Sequence, residues 1–209
     1  MSIIFQFHNA ARDGDENKVR SLLLTSKVKI NMKNNNGSTA LMFAAISNNE
    51  SMVSFLIDKG ADINMKDNDG RTALMLTSIN NRESIFSFLL DKGADINMKD
   101  NNGKTALMYS AGKNNESMVS LLIDKGADIN MKDNDGRTAL MIAAYYIKES
   151  MVSVLIDKGA DINMKDNIGD TALIYAARYN YEGMVSLLID KGADINIKNN
   201  VSYVVFKLL

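Results

Sequence analysis

The chain has 209 residues, and its 24 Lys and Arg against 25 Asp and Glu leave a net charge of −1, which gives no general attraction for nucleic acids or anionic membranes. It contains no cysteine, which excludes disulfides, thiolate zinc sites and cysteine nucleophiles. The first residues lack a basic segment, and no stretch approaches the roughly 18–20 apolar residues of a membrane span. We therefore expect an intracellular, cytoplasmic protein with neither nucleic acid nor a membrane among its partners.

The chain begins with a divergent unit, residues 1–36, which shares its pattern with later parts of the sequence. The pair Ala10-Ala11 matches an alanine pair in the next unit, and Asp13-Gly14 predicts a turn between two helices. This unit carries more charge than the later ones, as expected for a capping unit at the end of a repeat array.

After this unit a glycine recurs every 33 residues and marks the copies of a longer pattern. The glycines define repeats at 37–69, 70–102, 103–135, 136–168 and 169–201, with no linker between them. Self-similarity with a period of about 20–50 residues indicates a solenoid, in which each unit packs against its neighbours. We predict a single domain over residues 1–209.

Each copy predicts two short helices and an extended arm, as the first full copy shows. Thr39 precedes an apolar run and is a helix N-cap signal, which predicts an inner helix at Thr39–Ser47. Asn48-Asn49 predicts a tight turn, Glu50 begins an outer helix, and Gly60 ends it. The arm that follows is rich in Asp, Asn and Gly, which predicts a projecting hairpin. Because helices shorter than about 12–15 residues are marginal in water, stability must come from stacking.

Together these residues form the pattern D-x-x-G-x-T-A-L-x-x-A-A, followed by a turn and an outer helix that ends in G-A-D-I-N. The pattern resembles the ankyrin repeat, and the resemblance runs from about Phe5 to Asn200. It implies an all-α ankyrin-repeat solenoid of stacked helix-turn-helix units with projecting β-hairpin-like loops. It also implies a curved stack whose hairpin tips and inner helices form a concave face that binds other proteins.

The repeats depart from the T-P-L-H segment of the family pattern. Alanine replaces the proline in every copy, which removes the preorganisation that proline gives to the first helical turn. The histidine is replaced by Met42, Met75, Met108, Met141 and Ile174, so the family's threonine–histidine hydrogen bond cannot form. We expect these flexible or apolar side chains to fill the space by packing, in a fold that is less rigid.

The end of the chain, Val201–Leu209, begins a further inner helix and then stops. Ser202 replaces the next glycine, so residues 202–209 form an incomplete unit without the polar outer helix of a cap. One interpretation is that this segment covers the apolar flank of the last repeat, which leaves the protein a monomer. The alternative is an association edge that pairs with another chain.

The run Asp67-Asn68-Asp69-Gly70 at one tip resembles the start of a calcium-binding loop, but its spacing fails. If Gly70 took the sixth loop position, Met65 would occupy the first ligand position and Leu76 that of the bidentate glutamate. We interpret the run as a hairpin turn held by side-chain to backbone hydrogen bonds.

Candidates for other chemistry are few. His8 is the only histidine, and a role in packing or in starting a helix explains it better than catalysis. The sequence has no G-x-x-x-x-G-K-[ST] loop, and paired carboxylates occur only in the repeated turns. It therefore predicts no catalytic, metal or cofactor site, and we expect a protein that is not an enzyme.

Surface positions that differ between copies are the candidates for partner recognition. At the ends of the inner helices these positions carry Tyr145, Tyr146, Arg178 and Tyr179. Tyrosine and arginine are frequent interface hot spots, so we predict that these four anchor an unidentified protein partner. The flanking positions at the hairpin tips are Arg71, Lys104, Arg137, Asp69 and Asp135. Tyr109 and Tyr175 occupy a core-facing position and are expected to pack in the core.

Ile147 stands where the other full copies have asparagine in the turn between their helices. A β-branched residue is poor in a left-handed conformation, so we expect this turn to differ in shape. It lies beside the tyrosines.

The sequence thus predicts a non-enzymatic scaffold that binds a protein partner on a concave face. The alternative is a structural module that self-associates through its incomplete C-terminal edge. Oligomerisation that is lost when Val201–Leu209 is removed would favour this alternative.

Overall fold

The computed structural model describes residues 2–25 and 27–200. In these residues the chain forms twelve α-helices, which follow one another in pairs, and no β-strand. The helices are α1 Ile3–Asp13, α2 Glu16–Thr25, α3 Ala40–Ile46, α4 Glu50–Asp58, α5 Ala73–Ile79, α6 Glu83–Asp91, α7 Ala106–Gly112, α8 Glu116–Asp124, α9 Ala139–Tyr145, α10 Glu149–Asp157, α11 Ala172–Arg178 and α12 Glu182–Asp190. The predicted all-α repeat fold is confirmed.

The inner helices begin at the predicted threonines. The Thr39 hydroxyl accepts a hydrogen bond from the Met42 N–H at 3.4 Å, and each later inner helix repeats this bond. The predicted helix Thr39–Ser47 is α3 with these two residues as its caps. Met42 is buried, and its Sδ lies 3.5 Å from the Thr39 backbone nitrogen, so methionine fills the space predicted for it.

The turn after each inner helix contains one residue in the left-handed region. Asn48 has φ 59° there, and Ile147 has φ 55°. The expectation that Ile147 changes the shape of its turn is wrong. Its N–H donates to the Ala144 carbonyl at 3.1 Å, as the Asn48 N–H donates to Ala45 at 3.2 Å. The hydrogen-bonded frame therefore imposes the same turn on both residues.

The hairpin tips are loops closed by one aspartate. The Asp67 N–H donates to the Arg71 carbonyl at 2.9 Å, and Asp67 Oδ1 accepts from the N–H groups of Asp69 and Arg71 at 3.0 and 2.8 Å. Asp133 and Asp166 make the same bonds in their own tips. The side-chain to backbone hydrogen bonds predicted for these turns are present.

Consecutive tips are also joined by backbone hydrogen bonds. The Asn68 N–H donates to the Asn36 carbonyl at 3.0 Å, and a Cβ at Gly37 would lie 2.5 Å from that Asn68 nitrogen. Gly37 also has φ 74°. The recurring glycine is therefore required both by its backbone conformation and by the close approach of the next tip.

Lysine side chains add a second link between consecutive repeats. Lys33 Nζ donates to the Lys66 carbonyl at 2.6 Å, and Lys66 Nζ donates to the Lys99 carbonyl at 2.7 Å. Lys132 and Lys165 make the corresponding bond at 2.7 Å. Residues that recur with the period thus make hydrogen bonds from one repeat to the next.

Contacts group the chain into two compact units, one ending at Asn101 and the other beginning at Asn102. In the first unit α3 packs against both α1 and α5, and in the second α9 packs against both α7 and α11. The core of each unit is made by the apolar faces of these inner helices and of the outer helices beside them. The single domain over residues 1–209 stays a prediction.

His8 is buried in the first unit, as the predicted packing role requires. Its Nε2 donates to the Met32 carbonyl at 3.0 Å, and its ring stacks on Phe43 at a centroid distance of 5.3 Å. Burial lowers the pKa of His8, against the opposing effect of the Met32 hydrogen bond.

Two further observations concern membrane-spanning helices and the C-terminal segment. None of the helices in the described residues is long and apolar enough to cross a bilayer. The segment Val201–Leu209, with the alternatives of a cap and an association edge, lies outside the described residues.

Candidate functional site

Aromatic side chains are exposed where α9 and α11 end in the second unit. Tyr145 is the last residue of α9, and Tyr146 and Tyr179 are the C-caps of α9 and α11. Their exposed fractions are 45%, 53% and 44%, and Ile147 beside them is 48% exposed. Large apolar side chains that stay exposed next to one another mark a surface available for binding.

These rings form what we call the tyrosine cluster: Tyr145, Tyr146, Tyr175, Tyr179 and Tyr181. The Tyr145 ring meets three others edge to face, with centroids 5.1 Å from Tyr146, 6.2 Å from Tyr175 and 5.6 Å from Tyr179. Tyr181 stacks on Tyr179 at 5.8 Å. Edge-to-face pairs are favourable arrangements for aromatic rings, so the cluster holds its exposed members in place.

Tyr175 connects the cluster to the tip that precedes α11. Its hydroxyl donates to Asp166 Oδ2 at 2.7 Å. Burial, followed by this hydrogen bond and the Asp166 charge, raises the pKa of Tyr175 well above that of free tyrosine. Tyr175 and Tyr109 are half-buried, so the expectation that they pack in the core was too strong.

Arg178 is tied to the same repeat by an ion pair. Its Nη2 lies 2.5 Å from Oδ2 of the buried Asp170, and Asn199 Nδ2 donates to Asp170 Oδ1 at 2.7 Å. Sequence reasoning missed Asp170 as a partner of Arg178. The sequence carries one indication of this ion pair: Asp170 is acidic, whereas the equivalent residue is basic in three other repeats.

Two of the charged tips hold ion pairs between their own residues. Arg71, in the first unit, lies 2.8 Å from Asp67 and 2.7 Å from the exposed Asp69. In the second unit Arg137 lies 3.0 Å from Asp133 and 2.5 Å from the exposed Asp135. At each of these tips one arginine is paired with two carboxylates, which leaves the three side chains with a net charge of −1.

The Arg137 pairs also change its acidity. Burial lowers the pKa of the Arg137 guanidinium, but the charges of Asp133 and Asp135 outweigh this and raise it above its ordinary value. Arg137 stays cationic within its own tip.

A groove of about 300 Å³ lies beside the tyrosine cluster in the second unit. Its lining residues are Lys104, Met108, Tyr109, Gly112, Lys113, Ile142 and Tyr146. A Cβ built on Gly112 would lie 3.4 Å from Ile142 Cγ2 and 3.8 Å from Tyr146 Cε2. Lys104 Nζ lies 5.9 Å from the centre of the Tyr109 ring. Gly112 lines the groove at the position where other repeats have isoleucine, tyrosine or arginine.

The structure thus brings the four predicted anchors together at adjoining inner-helix ends of the second unit. Within the described residues, no group of three or more His, Cys, Asp or Glu side chains could hold a metal ion.

A sequence profile of ankyrin repeats (3 copies) matches residues 7–100, 95–166 and 134–199 of this chain. The crystal structure of the ankyrin repeat domain of Bcl-3, a unique member of the IkappaB protein family, is similar, with TM-score 0.88 and 28% identity over 97% of this chain and 92% of that one. A chain in the complex of the Bd0816 predatory endopeptidase from Bdellovibrio bacteriovorus with immunity protein Bd3460 has TM-score 0.80 and 31% identity over 89% of this chain and 97% of that one. No curated protein sequence matches.

Proposed function

Because this chain belongs to the ankyrin repeat family, we propose that it is a non-enzymatic interaction module that binds a protein partner through its tyrosine cluster. The Bd0816 complex with an immunity protein contains a chain similar to this one, which supports a role in protein recognition. The proposal places the contact at the ends of α9 and α11 on the inner-helix face.

The observation that carries this proposal is the preordered, exposed cluster itself. A tyrosine side chain buries about 150–250 Å² in an interface, and each square ångström of apolar area removed from water stabilises by about 25 cal/mol. Tyr145, Tyr146 and Tyr179 are each about half exposed, so a partner can still bury about half of that area. Their edge-to-face contacts restrict their rotamers before binding, which lowers the entropy that a partner must overcome.

Ile147 supports the same location. Left-handed backbone costs an isoleucine about 1–3 kcal/mol, and in this turn the side chain is 48% exposed. Burial of about half of the side chain within the repeat offsets only part of that cost. Contact of Ile147 with a partner would account for an apolar side chain at this strained position.

The test compares the native chain with Tyr145→Ala/Tyr146→Ala/Tyr179→Ala in a quantitative pull-down from lysate of the source cell. Ser47→Ala is the matched control, since Ser47 is the exposed C-cap of α3 and occupies the position equivalent to Tyr146. We expect a partner that the native chain and the control retain and the triple variant loses. Removal of one hot-spot tyrosine costs at least about 2 kcal/mol, so the triple variant should bind at least roughly 30-fold more weakly.

Equal recovery of that partner by all three proteins, with unchanged helical circular dichroism, would refute the proposal. The alternative of self-association through Val201–Leu209 concerns residues outside the described part of the chain and stays a prediction.

A further inference from the structure

We propose that the tyrosine cluster is a site of oxidative modification, at which a diffusing one-electron oxidant produces a dityrosine that joins Tyr145 to Tyr179. A phenol that loses one electron and one proton becomes a neutral radical, and two such radicals couple through their ring carbons. The spacing of the rings, a proton acceptor beside one of them and the exposure of others favour this reaction. It depends on the chemistry of the rings and not on the proposed function.

The rings of the cluster are close enough to exchange electrons. Tyr145 lies between the others, with its ring centroid 5.6 Å from that of Tyr179 and 6.2 Å from that of Tyr175. Tyr181 continues the series, 5.8 Å from Tyr179. These are contact distances for aromatic rings, and electrons pass readily between rings in contact. An oxidising equivalent that enters at one tyrosine can therefore move to another.

Tyr175 holds the first oxidising equivalent because its proton has an acceptor. Its hydroxyl donates to Asp166 Oδ2 at 2.7 Å, so the carboxylate can take the proton as the electron leaves. The hydroxyls of the other four rings donate to no described residue. The product is a neutral Tyr175 radical beside a protonated Asp166, and the half-buried ring does not have to carry a positive charge.

Storage of this first equivalent allows a second to arrive on the same molecule. A second oxidant removes an electron from the exposed Tyr179, and its phenolic proton goes to water. The Tyr175 radical takes an electron from Tyr145, whose proton goes to water, and the proton on Asp166 returns to Tyr175. A carbon–carbon bond then forms between the two radical rings, and the hydrogen on each bonded carbon shifts to its phenolic oxygen. In total, two electrons pass to the oxidant and two protons to water.

The position of the two rings leaves room for this bond. Tyr145 and Tyr179 meet edge to face, with an interplanar angle of 82°, and both are exposed. Each ring can therefore turn until the edges meet. Tyr145 is the last residue of α9 and Tyr179 is the C-cap of α11, so the bond joins two consecutive repeats.

The test oxidises the full chain at low concentration with tris(bipyridine)ruthenium(III), generated by light from the ruthenium(II) complex and persulfate. Dityrosine fluorescence of the monomer gives the yield, and mass spectrometry of tryptic peptides locates the bond. Trypsin releases Tyr145 in peptide 138–148 and Tyr179 in peptide 179–191. We expect these two peptides joined, lighter by two hydrogen atoms than their sum. Tyr145→Phe should abolish this product, whereas Tyr146→Phe should retain it.

Asp166→Asn tests the proton acceptor. The tip should keep its fold, because Asn34 closes the first tip in the same way, accepting from the Asn36 and Ser38 N–H groups at 2.9 Å. Asp67→Asn is the matched control, since it makes the same exchange at a tip of the first unit. Under one light dose, Asp166→Asn should lower the dityrosine yield at least roughly tenfold, and the control should match the native chain. The melting temperature of each variant shows that it is folded.

The opposite results would overturn this proposal. If concentrated protein forms cross-linked dimers while the dilute monomer contains no dityrosine, the cluster does not couple within one molecule. A product that survives Tyr145→Phe would show that another pair of rings reacts. Equal yields from the native chain and Asp166→Asn would remove the role of Tyr175 and Asp166. Because these measurements involve no partner protein, the proposed function stands or falls separately.

Discussion

The turn at Ile147 provides a quantitative test of backbone strain in this fold. Four equivalent turns place asparagine at φ 56–60°, and the Ile147 turn keeps the same geometry at φ 55°. Asparagine tolerates the left-handed region, whereas a β-branched residue is strained there. Ile147→Asn should therefore stabilise the protein, although it removes an apolar side chain.

The size of the effect follows from two opposing contributions. Relief of the left-handed strain contributes about 1–2 kcal/mol. Ile147 is 48% exposed, so its replacement also removes partial apolar burial, which destabilises the protein by up to about 1 kcal/mol. We expect a net gain of about 0.5–1 kcal/mol in the free energy of unfolding. For a chain of this size, that corresponds to a rise of roughly 1–4 °C in melting temperature.

The matched variant is the reverse exchange in the next repeat. Asn180 has φ 56° and is exposed, so Asn180→Ile should destabilise by about 1 kcal/mol. Equilibrium urea denaturation followed by circular dichroism measures both changes, and an unchanged m-value shows that the unfolding transition is the same. If Ile147→Asn lost stability while Asn180→Ile was neutral, the strain argument would be refuted.

Three further predictions concern buried and half-buried polar groups. Arg178→Ala leaves the buried Asp170 without its cation and should lower the free energy of unfolding by about 3 kcal/mol, as measured by thermal unfolding. Adding Asp170→Ser should recover most of that loss. The pKa of Tyr175 is raised in the folded state, so its contribution to the free energy of unfolding is present below about pH 10 and is lost as the pH rises toward the pKa of the folded protein. In denaturation at alkaline pH, Tyr175→Phe should therefore lose less stability than the native chain does. The pKa of His8 is lowered in the folded state, so its contribution to the free energy of unfolding is present above about pH 6.5 and is lost as the pH falls through the pKa of the folded protein. The stability of His8→Gln should therefore decline less in acid than that of the native chain.

Features that depend on local chemistry could be predicted from the sequence. The threonine caps, the aspartate-closed tips and the left-handed glycines each follow from what one residue type does to its own backbone. Because these features recur with the period, the fold could be predicted with them. The turn at Ile147 shows the limit of local reasoning. There the surrounding hydrogen bonds imposed a conformation that isoleucine disfavours.

Features that depend on contacts between repeats could be predicted only in part. The sequence indicated that Tyr145, Tyr146 and Tyr179 belong to one face, but not that Tyr145 meets three rings. It did not indicate that Arg178 pairs with the buried Asp170, because that contact depends on how a tip folds back on its helix. The groove at Gly112 could not be predicted from the sequence either, because the effect of a missing side chain depends on the residues that surround it.

Site-specific photo-cross-linking tests most directly whether a protein partner contacts the tyrosine cluster. The photoreactive residue p-benzoylphenylalanine would replace Tyr146 in one protein and Ser47, at the equivalent position of α3, in another. Both proteins are irradiated with the partner retained in the pull-down. The account predicts an adduct with the partner from position 146 and none from position 47. Equal adducts from both positions, or an adduct from position 47 alone, would contradict it.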